Sequence, residues 1–181
     1  PLPPTKPINL KTATFTAMPA PTTAADIATA SVGSKLTVNW DDGSKTDYKL
    51  SYKPFFLTGT EVSDGKGGKV IAGGYYDIYN NKIIDKTVPG KERQFFSDSP
   101  DGTSLLTVAN AKVDGVKGNP VFAVVQFEYT SWAQDQKTST YGVLPSPIAV
   151  LSLDQDPKTG HLELVKYHNV DTSKIYGLWI T

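Results

Sequence analysis

The fold class is decided by the stretch Val121-Phe122-Ala123-Val124-Val125-Gln126-Phe127-Glu128-Tyr129. β-Branched and aromatic residues dominate it, and these residue types favour strands. Successive side chains of a strand point to opposite faces. The odd-numbered residues from 121 to 129 therefore share one face, and the even-numbered residues from 122 to 128 share the other. Because the apolar run is nearly continuous, we expect both faces to be covered at the start of this strand.

Glu128 is the most informative residue of this stretch. A carboxylate that continues an apolar face is costly to bury unless it is paired or binds a metal ion. The chain contains a single arginine, Arg93, so a metal ion or a lysine is the natural partner. Glu128 is therefore the leading candidate metal ligand. The alternative, that the strand end emerges into solvent, is equally compatible with the pattern.

Turn signals surround this strand on both sides. Upstream, Asp41-Asp42-Gly43 separates two alternating segments, which predicts a hairpin, and residues 99–102 read Ser-Pro-Asp-Gly, a tight-turn sequence. Downstream, residues 154–160 predict the turn of a second hairpin. The whole chain predicts about nine or ten short strands without β-α-β alternation. The class is all-β, either part of a β-propeller-like architecture or a β-sandwich.

The amino-acid composition excludes or disfavours several classes of function. The 181 residues carry 18 Lys+Arg and 18 Asp+Glu, so the formal net charge is zero, which argues against a generic nucleic-acid binder. There is no cysteine, so thiolate chemistry within this chain is excluded. No apolar run approaches the roughly 20 residues of a membrane span. We expect residues 1–31 to form a Pro/Ala/Thr-rich N-terminal arm and residues 32–181 to form the all-β region.

Two weaker candidate sites lie in the C-terminal hairpin. Asp154 and Asp156 precede Gly160, and oxygen donors before a turn-forming glycine suit calcium, although a plain hairpin turn explains them as well. The two histidines flank the same strand. By simple alternation His161 and Glu163 share one face and His168 lies on the other, where ordinary solvated residues are the alternative to a metal site.

Two further groups have both a structural and a functional interpretation. Asp98 and Asp101 flank Ser99-Pro100 of the predicted turn, and aspartates at such positions commonly cap their own backbone. The three tryptophans could line a carbohydrate-binding face or could be core and rim residues; they are Trp40, Trp132 and Trp179.

The second half of the chain resembles the PhoX-type alkaline phosphatases, a bacterial family. Residues 121–130 are similar to a strand of that family that ends in an Asn-His-Glu-Tyr-Thr-like motif, with Gln126-Phe127 in place of Asn-His. Residues 98–106, the hairpin 148–165 and residues 176–181 fit the same context. In that family a similar stretch leads into a motif whose cysteine binds iron.

The resemblance implies a propeller enzyme that holds iron and calcium and hydrolyses phosphate monoesters, periplasmic or extracellular, with Glu128 as a metal ligand. We expect this chain to form its N-terminal portion. A second polypeptide, or the C-terminal remainder, is then expected to pack on a strand at 175–181. The alternative function is a secreted, non-enzymatic β module for adhesion, carbohydrate binding or surface assembly.

Overall fold

The computed structural model describes residues 7–27, 33–50, 52–171 and 173, and these residues form an almost entirely β structure. This confirms the all-β class. Every sheet in the described part is antiparallel and open, so the propeller remains a prediction. The chain divides into two compact units, Pro1–Lys53 and Pro54–Thr181. The strand predicted at 175–181, and Trp179 with it, lies outside the described residues.

The described elements are eleven strands and one short helix. In chain order they are β1 Leu10–Phe15, α1 Ala24–Ile27, β2 Lys35–Trp40, β3 Lys45–Lys49, β4 Glu61–Ser63, β5 Lys69–Ile71, β6 Ile84–Asp85, β7 Arg93–Gln94, β8 Pro100–Leu106, β9 Asn119–Phe127, β10 Ile148–Gln155 and β11 Leu162–Asn169.

The first unit contains a three-stranded sheet in the order β1-β2-β3. Its hairpin confirms the predicted turn at Asp41-Asp42-Gly43, since β2 and β3 pair antiparallel across it. The Asp42 carboxylate accepts hydrogen bonds from the backbone and hydroxyl of Ser44, and Gly43 has a φ of 86°. β1, which lies within residues 1–31, pairs with β2.

The second unit is built on a four-stranded meander in the order β11-β10-β9-β8. In β9 the odd-numbered side chains from Val121 to Phe127 are buried, as are Ala149, Leu151 and Leu153 of β10. Their shared face is covered by Ala72 and by apolar residues that precede β8; these are Phe55, Phe56, Val62 and Val70. This face is the core of the unit.

The opposite face of β9 corrects the expectation that both faces are covered. Phe122 and Val124 are only half-buried, while Gln126 and Glu128 are exposed. The strand therefore has one core face and one face that opens progressively to solvent. Apolar sequence alone does not separate these two cases, since half-burial is enough to retain a valine or a phenylalanine.

A β-bulge in β11 corrects the predicted placement of His168. Lys166 pairs with Ser152 and Leu164 pairs with Leu153, so the intervening Val165 has no partner. The extra residue reverses the alternation, which sends Tyr167 into the core opposite Leu151. His168 is consequently exposed on the same face as Glu163.

Candidate functional site

Glu128 follows directly on the last residue of β9, and its main chain is fixed from two sides. Its backbone N–H donates to the carbonyl oxygen of Ser99 at 2.8 Å, and its own carbonyl oxygen accepts a hydrogen bond from the Tyr75 hydroxyl at 3.0 Å. Its side chain is exposed. The carboxylate accepts a long hydrogen bond of 3.4 Å from the Ser99 hydroxyl. A rigid backbone thus presents an accessible carboxylate at the strand end.

This carboxylate lines an open cavity of about 500 Å³, which we call the β9 cleft. The residues that line it are Asp101, Gln126, Phe127, Glu128, Tyr129, Tyr141, Gly142, Leu144 and Ser146. They come from the ends of β8 and β9 and from the connection that follows β9. The cleft has the volume typical of small-molecule sites, about 300–1,000 Å³.

Asp101 reaches the β9 cleft because β8 contains a bulge. Pro100 pairs with Phe127 and Thr103 pairs with Val125, so Asp101 and Gly102 together lie opposite the single residue Gln126. Bulges re-aim side chains beside functional sites. The tight turn predicted at 99–102 is therefore wrong, because Pro100 already begins β8. Asp98, its partner in that prediction, is exposed and does not line the cleft.

Two tyrosines form the aromatic wall of the β9 cleft. The ring centroids of Tyr129 and Tyr141 lie 4.8 Å apart, and the rings meet edge to face at 77°. Both residues remain accessible, Tyr129 at 43% and Tyr141 at 64% relative exposure. The buried Thr140 holds this arrangement, because its hydroxyl donates to the carbonyl oxygen of Thr130 at 2.6 Å. Its backbone N–H donates to the carbonyl oxygen of Ser131.

The 128–147 connection that carries Tyr141 is anchored to the rest of the unit through Asp85. This carboxylate is buried and accepts hydrogen bonds from the backbone N–H of Gln134 at 2.6 Å and from the Thr87 hydroxyl at 2.6 Å. Burial raises the pKa of Asp85, but these hydrogen bonds and the charge of Arg93 outweigh it, so the net pKa is lowered. Asp85 is thus held ionised and fixes the connection at Gln134.

Asp154 and Asp156 are both engaged by backbone donors. Asp154 accepts hydrogen bonds from the N–H groups of Lys117 and Gly118, which precede β9. Asp156 accepts from the N–H groups of Lys158 and Thr159, which together lower its pKa. Asp156 therefore does what the plain-turn interpretation requires, whereas Asp154 ties the hairpin to the segment before β9. Calcium binding by the two carboxylates stays a prediction.

The remaining candidates lie outside the β9 cleft. Trp40 belongs to the first unit and donates its indole N–H to Thr46, whereas Trp132 is exposed on the 128–147 connection. His161 lies just before β11 and His168 within it, and neither lines the cleft. Asp41 binds the backbone and side chain of Asn9, which lowers its pKa.

The donors of the β9 cleft fit calcium better than iron. Asp101 and Glu128 supply hard carboxylate oxygens, and calcium takes six to eight oxygen ligands. Within the described part of the chain, no histidine lines the cleft, and carboxylate oxygens suit calcium rather than iron. Across the described residues, no group of three or more His, Cys, Asp or Glu side chains is placed to hold a metal ion. The two carboxylates of the cleft are fewer oxygen donors than calcium takes, so a calcium site there stays a prediction.

Sequence reasoning singled out Glu128 but missed its companions in the cleft. Tyr129 and Tyr141 are twelve positions apart and meet only because the connection between β9 and β10 folds back on itself. The available signal is the length of that connection, which exceeds the roughly 12–15 residues above which loops are uncommon and are usually functional, disordered or linker segments.

Comparisons with protein-family models, curated protein sequences and solved structures found no match to the chain. Within its described part, no helix combines the length and the hydropathy that crossing a membrane requires.

Proposed function

We propose that the second unit contributes one wall of a metal-dependent phosphoric monoester hydrolase of the PhoX type. The observation that carries this proposal is that Glu128 and Asp101 face one cleft at neighbouring strand ends. The strand pattern and the family resemblance both point to Glu128, and Asp101 adds a second carboxylate to the same lining. A bound divalent cation there would neutralise and polarise a phosphoryl oxygen.

The chain's own residues have defined tasks in this proposal. Glu128 and Asp101 would hold the cation, and the main chain of Glu128 is fixed by its N–H bond to the Ser99 carbonyl oxygen and by the Tyr75 hydroxyl, which donates to its carbonyl oxygen. The remaining ligands, including those for iron, would come from a second polypeptide or from the C-terminal remainder packed on 175–181. Localisation in the periplasm or outside the cell belongs to the same proposal.

The four-stranded meander supports the propeller part of the proposal. Propeller blades are four-stranded antiparallel sheets packed face to face around a central axis. The sheet β11-β10-β9-β8 has the sequential order of such a blade. Its second face carries half-buried apolar side chains, among them Phe122, Val124 and Val150. A neighbouring blade would complete their burial.

Terbium titration tests the metal site directly. Tb³⁺ replaces Ca²⁺ at oxygen sites, and its luminescence is sensitised by nearby tyrosines, which Tyr129 and Tyr141 supply. We expect saturable luminescence that Ca²⁺ displaces, that Glu128→Gln abolishes and that Asp101→Asn weakens. Glu92→Gln, a change outside the cleft, should have no effect. Unchanged terbium binding by Glu128→Gln would overturn the site.

The alternative function, a secreted non-enzymatic module, is favoured by one different observation. β8 lies at the edge of the four-stranded sheet and is exposed along its length, with Leu105 and Leu106 at 57% and 40% exposure. Exposed edge strands are templates for pairing with another chain, as surface assembly requires. Concentration-dependent association that Leu105→Lys suppresses, together with no terbium binding, would favour this alternative.

A further inference from the structure

The aromatic wall of the β9 cleft has no role in holding a cation. Tyr129 and Tyr141 line the cleft and stay exposed, whereas the neighbouring Phe127 is buried in the core. Aromatic rings left accessible at the wall of a small-molecule cavity are contact surfaces for ligands. The two exposed tyrosines therefore favour a ligand that has an apolar face.

The charged residues of the cleft further restrict the class of ligand that it can bind. Among the residues that the structure describes, the acidic side chains of the lining are Asp101 and Glu128, and no lysine, arginine or histidine belongs to it. A free anion is repelled by such a lining. Among neutral ligands, one that donates hydrogen bonds is favoured, because carboxylate oxygens accept them. Gln126 and Ser146 add groups that both donate and accept.

A polyhydroxylated ring satisfies both requirements, an apolar face and several hydrogen-bond donors. A pyranose carries C–H groups on its faces, which pack on the negative face of an aromatic ring, and hydroxyl donors around its edge. Edge-to-face packing of the tyrosine pair leaves ring surface open, and Tyr141 is the more exposed of the two.

The wall is ordered before any ligand arrives. The hydroxyl of Thr140 ties the two tyrosines together through the carbonyl of Thr130, and Asp85 anchors the same connection through Gln134. Binding to a preorganised surface avoids the entropic cost of ordering it. A flexible loop would lack this advantage.

We infer that the β9 cleft binds a monosaccharide unit, with Tyr141 and Tyr129 as the stacking surface and Asp101 and Glu128 as hydroxyl acceptors. For the proposed hydrolase, and resting on that function, this makes the alcohol portion of the substrate a sugar. The substrate class would then be sugar phosphate monoesters, with the cation holding the phosphoryl group.

Ligand-detected NMR on the full chain tests the inference, using the methyl glycosides of glucose, galactose and mannose in EDTA. We expect saturable binding of at least one glycoside and none of glycerol, which has no ring. Tyr141→Ala should weaken this binding about tenfold, the equivalent of one lost stacking contact. Tyr141→Phe should retain it, and Tyr79→Ala, a change at an exposed tyrosine outside the cleft, should leave it unchanged. Amide spectra establish that each variant is folded.

Absence of binding by all three glycosides, or binding that is indifferent to Tyr141→Ala, would overturn the inference. Terbium binding is measured separately and does not depend on these outcomes. Glycoside binding without terbium binding keeps the sugar site and removes the hydrolase, whereas the reverse result removes only the sugar site. In the full proposal, glucose 6-phosphate binds more tightly with Ca²⁺ than in EDTA.

Discussion

The hydroxyl of Tyr167 accepts a hydrogen bond of 2.8 Å from the backbone N–H of Gly73, which lies 94 positions earlier in the chain. Both residues are buried. Gly73 has a φ of 74°, a conformation that glycine adopts without strain. This single contact joins the segment between β5 and β6 to the core side of β11.

Replacing Tyr167 with phenylalanine should therefore destabilise the second unit. The ring stays, but the N–H of Gly73 loses its acceptor within the core. An unsatisfied buried donor costs about 1–3 kcal/mol. Urea unfolding followed through the methyl NMR signals of Val125 and Leu151 measures this loss. Tyr79→Phe, at an exposed position, serves as the control; equal stability of the two variants would contradict the prediction.

Asp85 makes the 128–147 connection sensitive to acid. Its pKa is lowered in the folded chain, so its stabilisation is present above the unfolded pKa near 3.8 and is lost as the pH falls through the lower folded value. Asp85→Ala removes the acceptors for Thr87 and Gln134, with an expected cost of about 1–3 kcal/mol. Hydrogen exchange at Gln134 should accelerate, while the exposed control Asp114→Asn leaves it unchanged.

Alkaline pH should weaken the same unit through Tyr75. Burial raises the pKa of this hydroxyl from 10.0 to about 12. Between these values the unfolded chain releases the proton and the folded chain retains it, so the free energy of unfolding falls as the pH rises. Below pH 10.0 the contribution is complete. Urea midpoints at intervals across this range should fall less steeply in Tyr75→Phe than in the wild type.

Gly118 should tolerate no side chain. A Cβ at this position would overlap the backbone carbonyl oxygen of Gln155 and lie 2.9 Å from the Asp154 carboxylate. Because backbone cannot move aside cheaply, Gly118→Ala should displace the start of β9 and lower the urea midpoint. Gly102→Ala is the matched control, since its Cβ would meet only the Cβ of Gln126 at an ordinary 3.6 Å. Equal midpoints would show that the turn adapts.

The sequence predicted those features that follow from local alternation and turn chemistry. The buried face of β9 and the turn at Asp156 both rest on neighbouring residues, and both are found. The bulge at Val165 could not be predicted from the sequence, because an extra residue reverses which side chains face the core without changing the composition of the strand. The prediction of a turn at Asp101 is wrong for a different reason, because the sequence Pro-Asp-Gly is compatible with both a turn and a bulge.

The candidate site was predicted only in part because it is assembled across the chain. Glu128 was recognised as a polar residue that continues an apolar face. The contact between Tyr129 and Tyr141 depends on the hydrogen bond from Thr140 to Thr130, which no periodicity encodes. Long-range closure of this kind is visible only once the backbone is in place.

Because β8 is an exposed edge strand that also lines the β9 cleft, a partner that covers this edge would change ligand binding in the cleft. Asp101 belongs to β8, so a strand added along this edge would run beside the cleft and become a further wall of it. Assembly and ligand binding would then influence each other by the same free energy in both directions. A partner that pairs with β8 would act as an effector of the site as well as its support.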